Sequence, residues 1–138
     1  MVEKPKKQNA RSREADSLRL AGDCARIADD KKAREILILD LRNLTYITDY
    51  FVIVSAGNPR QLGAISTAIE QEMRQRSIRA IGVQGDDASG WIVHDYADVV
   101  VHLFDTERRK LYDLELLWGD APRVDWRAVS LPNSPQQA

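Results

Sequence analysis

Two aliphatic runs, Glu35–Leu41 (EILILDL) and Tyr50–Ser55 (YFVIVS), most constrain what this chain can become. Each has the length of a strand, and neither alternates cleanly with polar residues. That is the pattern of strands covered on both faces or nearly so. Such strands require a sheet with helices packed against it. The 138 residues suit one domain. At that size a domain buries roughly two-thirds of its unfolded surface and builds a core without staples.

The remaining elements fall around these strands. A first helix is expected from Leu18 to Lys31, capped by Asp16 or Ser17, with Leu20, Cys24, Ile27 and Lys31 at helical spacing and Gly22 as its weak point. Gly57-Asn58-Pro59-Arg60-Gln61 is a helix start. Asn58 can cap, Pro59 suits the first turn and Gln61 can reach back. Leu62, Ile65, Ile69 and Met73 then mark one face, and the helix should end near Arg76. A short strand is expected at Arg79–Val83, then a loop at Gln84–Gly90 (QGDDASG). Trp91–Asp95 and Asp98–Phe104 read as a hairpin. Thr106 can cap a last helix over Glu107–Trp118, with Gly119 and Pro122 as stop signals. The order is αββαβββα. It describes a single α/β domain over 15–127, with a mixed five-stranded sheet flanked by helices. Residues 1–14 read as a disordered basic arm and 128–138 as a flexible tail.

Charge is unevenly spread. In the arm, Lys4, Lys6, Lys7, Arg11 and Arg13 outweigh Glu3 and Glu14, so the remainder is more acidic than the overall net charge of −1. A mildly acidic body suits a basic protein partner better than a nucleic-acid groove. The arm could add a peripheral RNA contact. No apolar run approaches the roughly 20 residues that span a bilayer. The N-terminus lacks the apolar stretch of a signal peptide, and its acidic residues argue against a transit peptide. A lone cysteine, Cys24, fits a reducing compartment.

The hairpin is the most informative segment. With a two-residue turn at Tyr96-Ala97, Asp95 pairs with Asp98, His94 with Val99, Val93 with Val100, Ile92 with Val101 and Trp91 with His102. Alternation then puts Trp91, Val93, Asp95, Asp98, Val100, His102 and Phe104 on one face. Ile92, His94, Val99, Val101 and Leu103 share the other, which reads as core apart from His94 near its edge. The first face mixes aromatics, aliphatics, carboxylates and a histidine, as a binding surface does. A helix over its apolar end, with the acids on a solvated turn, fits the pattern equally well.

Several blocks then carry a resemblance: Thr48-Asp49-Tyr50-Phe51-Val52-Ile53, Asn58-Pro59-Arg60-Gln61, Gly90-Trp91-Ile92-Val93, Asp95-Tyr96, Asp98-Val99-Val100-Val101-His102, Leu111-Tyr112-Asp113-Leu114-Glu115 and Leu117-Trp118-Gly119-Asp120. In order and spacing the chain resembles the Iojap or ribosomal silencing factor family over about Leu18–Val124. The resemblance implies a nucleotidyltransferase-like fold. It implies binding to the large ribosomal subunit through its fourteenth protein, which sterically blocks the small subunit and represses translation. It implies Trp91, Asp95, Tyr96, Asp98, Val100 and His102 as the contact region, with Asp49 and Tyr50 as weaker candidates. It favours the bacterial cytosol, although organelle members exist. A free strand edge and an exposed mixed face would also permit a homodimer when the protein is unbound. Two positions depart from the family. Ala97 stands where glycine is usual, so the turn is expected to be longer or differently shaped. His94 replaces an apolar residue, so that end of the strand is expected to be exposed.

Other chemistries fit less well. A nucleotidyltransferase-like enzyme would use Asp95 and Asp98 with a divalent metal, but these lie across a turn instead of one residue apart on a strand. The Gly-Ser turn of that chemistry is also missing, since Ser55-Ala56-Gly57 does not match it. Asp86-Asp87 sit in the expected loop. Zinc would need three or four ligands, and His94, His102 and Cys24 are the only soft candidates, with the histidines on opposite faces. No motif calls for a cofactor. Cys24 reads as a packed thiol, Trp118 as packing for the last helix, and Trp126 has no assignment.

Overall fold

The computed structural model describes the backbone of residues 7–129 and the side chains of 15–129. The elements are α1 (Lys7–Asp30), β1 (Arg34–Asp40), β2 (Tyr50–Ala56), α2 (Pro59–Gln75), β3 (Gly82–Asp86), β4 (Trp91–Asp95), β5 (Val99–Asp105), α3 (Thr106–Tyr112), α4 (Leu114–Leu117), β6 (Arg123–Val124) and α5 (Trp126–Val129). The six strands lie in the order β3-β4-β5-β2-β1-β6. Central β2 and β5 run parallel, and every other pair is antiparallel. The sheet is mixed and flanked by helices, with six strands where five were expected. β6 has two residues, too few to leave a pattern in the sequence.

The aliphatic runs became β1 and β2, as their apolar continuity demands. One face of the sheet packs against α1, α2 and α5 through Cys24, Ala28, Ile38, Val52, Val54, Ile65, Ile69, Val101, Leu103 and Trp126. The other face carries a smaller cluster of Leu39, Leu41, Ile53, Phe104 and Ala121. Among the described residues, only the short α3–α4 segment and the chain leading to β6 lie over that side, through Leu114, Trp118 and Ala121.

Local signals explain most boundaries. Asn58 caps α2 by accepting from the Gln61 N–H at 2.8 Å, with Pro59 in the first turn. Gln61 does reach back, accepting from the Gly57 N–H at 2.6 Å. Four expectations are corrected. First, α1 starts at Lys7, well before Leu18. The segment KQNARSREADS is polar but free of glycine and proline, and rich in straight-chain helix formers that extend an existing helix at little cost. The expected arm therefore overlaps this helix from residue 7 onward. Residues 1–6, and 130–138 of the expected tail, lie outside the described residues.

Second, β3 is Gly82–Asp86 instead of Arg79–Val83. Its residues are largely exposed at the sheet's edge, so its composition looks like loop. Gly85 sits at φ 84, where a side chain would run into the Trp91 carbonyl. Third, the cap of α3 is Asp105, whose carboxylate accepts from the Arg108 N–H at 2.7 Å, and not Thr106. The expected single last helix also breaks at Asp113, at φ 42.

Fourth, the hairpin register moves by two residues: Asp95 pairs with Val100, Val93 with His102 and Trp91 with Phe104. The connection is correspondingly longer, closed by Tyr96 N–H donating to the Val99 carbonyl at 2.9 Å. Ala97 occupies φ 73 within it. Because side chains alternate with a period of two, a two-residue shift leaves both faces with the residues assigned to them.

Candidate functional site

The sparsely covered face of the sheet is the candidate site, and Trp91 anchors it. Trp91 opens β4 opposite Phe104 of β5, with their rings stacked at 4.9 Å. Tyr112, from the end of α3, lies against the same indole at 4.4 Å. Next on β5, His102 meets Phe51 of β2 edge to face at 4.5 Å. Phe51 in turn meets Trp118 at 5.9 Å, so Trp118 packs the segment after α4 onto the sheet, as expected for it. Val93, Asp95 and Val100 complete a half-buried floor beside these rings.

His102 is a structural member of this cluster. The Trp91 indole Nε1–H donates to His102 Nδ1 at 3.2 Å. Indole can only donate, so Nδ1 is bare and the neutral ring carries its proton on Nε2. Nε2 is buried without a partner. Burial also pushes the His102 pKa down to about 4, so the ring behaves as a neutral aromatic.

α3 and α4 frame the face, held by Arg109. Its guanidinium donates to Glu115 Oε2 at 2.9 and 3.1 Å, to Ser55 Oγ at 2.9 Å, and to the Glu35 carbonyl. Glu35 stands at φ 51 where β1 slips its register against β2. One buried cation thus ties α3, α4, β1 and β2 together and seats Tyr112 against Trp91. The same corner exposes Leu111, Leu116 and Leu117 by 71%, 76% and 72%. Three large apolar side chains so exposed beside a half-open aromatic floor form a patch of the kind that marks an interaction surface.

The expected site residues divide between the two sides of the sheet. Trp91, Asp95, Val100 and His102 share the candidate face. Asp98 is exposed in the turn, and its carbonyl accepts from the Asp49 and Tyr50 N–H groups at 2.9 and 3.1 Å, which brings Asp49 to the same end. Tyr96 and Tyr50 point the other way, into the core under the helices. The Tyr96 hydroxyl lies 3.2 Å from His94 Nδ1, and Ser66 Oγ lies 2.8 Å from His94 Nε2. His94 is therefore fully buried between two hydroxyls, a correction to its expected exposure. Its burial lowers its pKa. The histidines do lie on opposite faces.

Sequence reasoning missed Phe51, Tyr112, Leu116 and Leu117. Alternation along β2 places Phe51 opposite Tyr50 but cannot say which face lies open. The leucines fell within one expected continuous helix and were given no site role.

Asp95 Oδ1 accepts from the Ala97 N–H at 2.8 Å, so this carboxylate closes its own turn. Among the described residues no three His, Cys, Asp or Glu side chains stand together as metal ligands would. Cys24 is buried, and burial drives its thiol pKa to about 12, far from a nucleophile's range.

Comparison with known proteins places the chain in a family. Residues 14–138 match the family model described as "Ribosomal silencing factor during starvation". A ribosomal silencing factor of Bacillus subtilis is 39% identical over 101 residues, covering 73% of this chain and 86% of that protein. A mouse protein named "Mitochondrial assembly of ribosomal large subunit protein 1" is 33% identical over 91 residues, covering 64% of this chain and 40% of its own length. Among solved structures, one from Chromobacterium violaceum superposes with a TM-score of 0.69 at 26% identity, covering 72% of this chain and 83% of that one.

Proposed function

Since this chain belongs to the family of ribosomal silencing factors, we propose that it docks the sparsely covered face of its sheet on the large ribosomal subunit and sterically keeps the small subunit away. The observation that carries the reading is the asymmetry of the sheet. One side is sealed by α1, α2 and α5, while the other leaves Trp91, Val93, Val100 and Tyr112 open around an aromatic cluster. Silencing by contact needs an adhesive surface, and this face offers exposed aromatic and aliphatic area.

The name of the mouse relative supports the large subunit as the partner particle. The fourteenth protein of that subunit is the partner we assign. Trp91 supplies the buried apolar anchor, and the exposed Asp98 meets a lysine or arginine of the partner. Tyr96 and Tyr50 contribute through the core behind the face. The bacterial relative supports a cytosolic setting.

Cosedimentation with purified large subunits tests this directly. A central tryptophan is often worth about 2 kcal/mol or more, so Trp91→Ala should weaken binding at least tenfold. Trp91 also packs internally, so Val93→Glu serves as a second variant that places a charge on the same face. Both should lose the ability to block subunit joining on sucrose gradients. Folded variants that bind and block as well as wild type would reject this face.

A further inference from the structure

Four cations gather where the α1–β1 turn meets the start of α2: Lys31, Lys32, Arg34 and Arg60. Gln61 clips these segments together. Its Nε2 donates to the Lys31 and Lys32 carbonyls at 3.1 and 2.8 Å, while its Oε1 takes the Gly57 N–H. Lys31 and Arg60 line one open depression. The Arg34 guanidinium lies over Gly57, where a Cβ would stand 3.4 Å from its Nη2. All four side chains are exposed, and none forms an ion pair among the described residues. The first turn of α2 holds no acidic residue, and its dipole adds positive potential. Asp87 is the one carboxylate lining the depression. Asp29, Asp30 and Glu35 flank these cations in sequence, but Asp30 pairs with Arg26 and Glu35 reaches toward Ser55, which leaves the cations in excess around the depression.

Its position relative to the aromatic face is informative. Arg34 pairs with Ser55, Ser55 with Phe104, and Phe104 with Trp91, a single row across the sheet. At about 4.8 Å per strand, Arg34 and Trp91 stand roughly 14 Å apart on the same end of the sheet. The depression opens on the α2 side and Trp91 on the other, so a partner touches both by wrapping the end of the sheet where β2 and β5 finish.

We infer that the Lys31, Lys32, Arg34 and Arg60 corner is a second contact, made to the phosphodiester backbone of ribosomal RNA. This rests on the docking proposed above, because a ribosomal surface presents protein and RNA side by side. Four cations with no ion pair among the described residues, carried on backbone that Gln61 clips together, match closely spaced phosphates, and each phosphate neutralised releases counterions. The aromatic face then supplies the protein contact, and this corner supplies a salt-sensitive one that fixes orientation.

The test is the salt dependence of binding to purified large subunits, between about 50 and 200 mM. A combined Lys31→Gln, Lys32→Gln, Arg34→Gln and Arg60→Gln variant changes only exposed side chains, and its melting checks the fold. Its log–log slope should be shallower than wild type by about 3, at roughly 0.7–0.9 per phosphate. Its affinity should fall at least tenfold near 0.1 M salt, and Asp87→Asn should bind more tightly than wild type. Trp91→Ala should lose affinity at an unchanged slope. Wild type should also bind deproteinised large-subunit RNA, and the fourfold variant should not. A fourfold variant with the wild-type slope overturns the RNA contact alone. So does one that loses subunit binding yet keeps wild-type affinity for the naked RNA, which would point to an acidic protein. Wild type that ignores large subunits overturns the docking reading and this contact with it.

Discussion

Ala97 is the residue where local chemistry is most at odds with its place. At φ 73 it holds a conformation that costs a residue with a Cβ roughly 1–2 kcal/mol. Glycine removes that strain but adds chain entropy to the unfolded state. Ala97→Gly should therefore stabilise the protein by about 0.5–1 kcal/mol, read as a higher urea midpoint at unchanged m. The sequence alone exposed this conflict, and the longer turn resolves it only in part. Alternation was equally informative along β4 and β5, where every residue from Trp91 to Asp95 faces as expected despite the shifted register. Tyr96 lay beyond that logic. It stands in the turn, where alternation ends, and its hydroxyl is drawn to a buried histidine that looked exposed.

Among elements, the α3–α4 corner depends on one buried guanidinium. Arg109→Ala would leave Glu115 without its partner, and would free the Glu35 carbonyl and Ser55. Breaking a buried pair from one side costs about 3–5 kcal/mol. The variant should unfold at least 2 kcal/mol more easily in urea, an effect of the kind expected for a lost polar network. A loss under 1 kcal/mol would mean the corner stands without it. None of this was legible beforehand. The break at Asp113 carries neither glycine nor proline, so Glu107–Trp118 read as one helix. The partners of Arg109 lie up to 74 residues away in sequence. By contrast, α2 was legible at both ends, because its caps are local chemistry.

For the whole molecule, two buried neutral histidines set the response to acid. The His102 pKa falls from 6.5 to about 4 on folding, and that of His94 also falls. The unfolded chain therefore takes up protons that the folded one refuses, and acid favours unfolding. Stability should be full above pH 6.5 and decline as pH falls toward 4. His102 alone accounts for roughly 3 kcal/mol of that loss, at about 1.4 kcal/mol per pKa unit. Urea unfolding at pH 7, 5.5 and 4.5 checks this, and His102→Phe should flatten the profile. The architecture itself followed from two aliphatic runs, which demanded a covered sheet. The placing of β5 between β4 and β2 did not, since pairing across some fifty positions leaves no mark on either segment.

That central pairing also bears on how the polypeptide is born. Beyond its pairing with Asp40, Tyr50 finds its other neighbour at Val99, so a nascent chain that has emerged through β4 still lacks the strand that joins the two halves. Until then β2 and β4 present raw edges, the state most open to misassembly and proteolysis. Synthesis that stalls before β5 should therefore yield only degradable fragments, and the sheet is joined only once the ribosome has passed that strand.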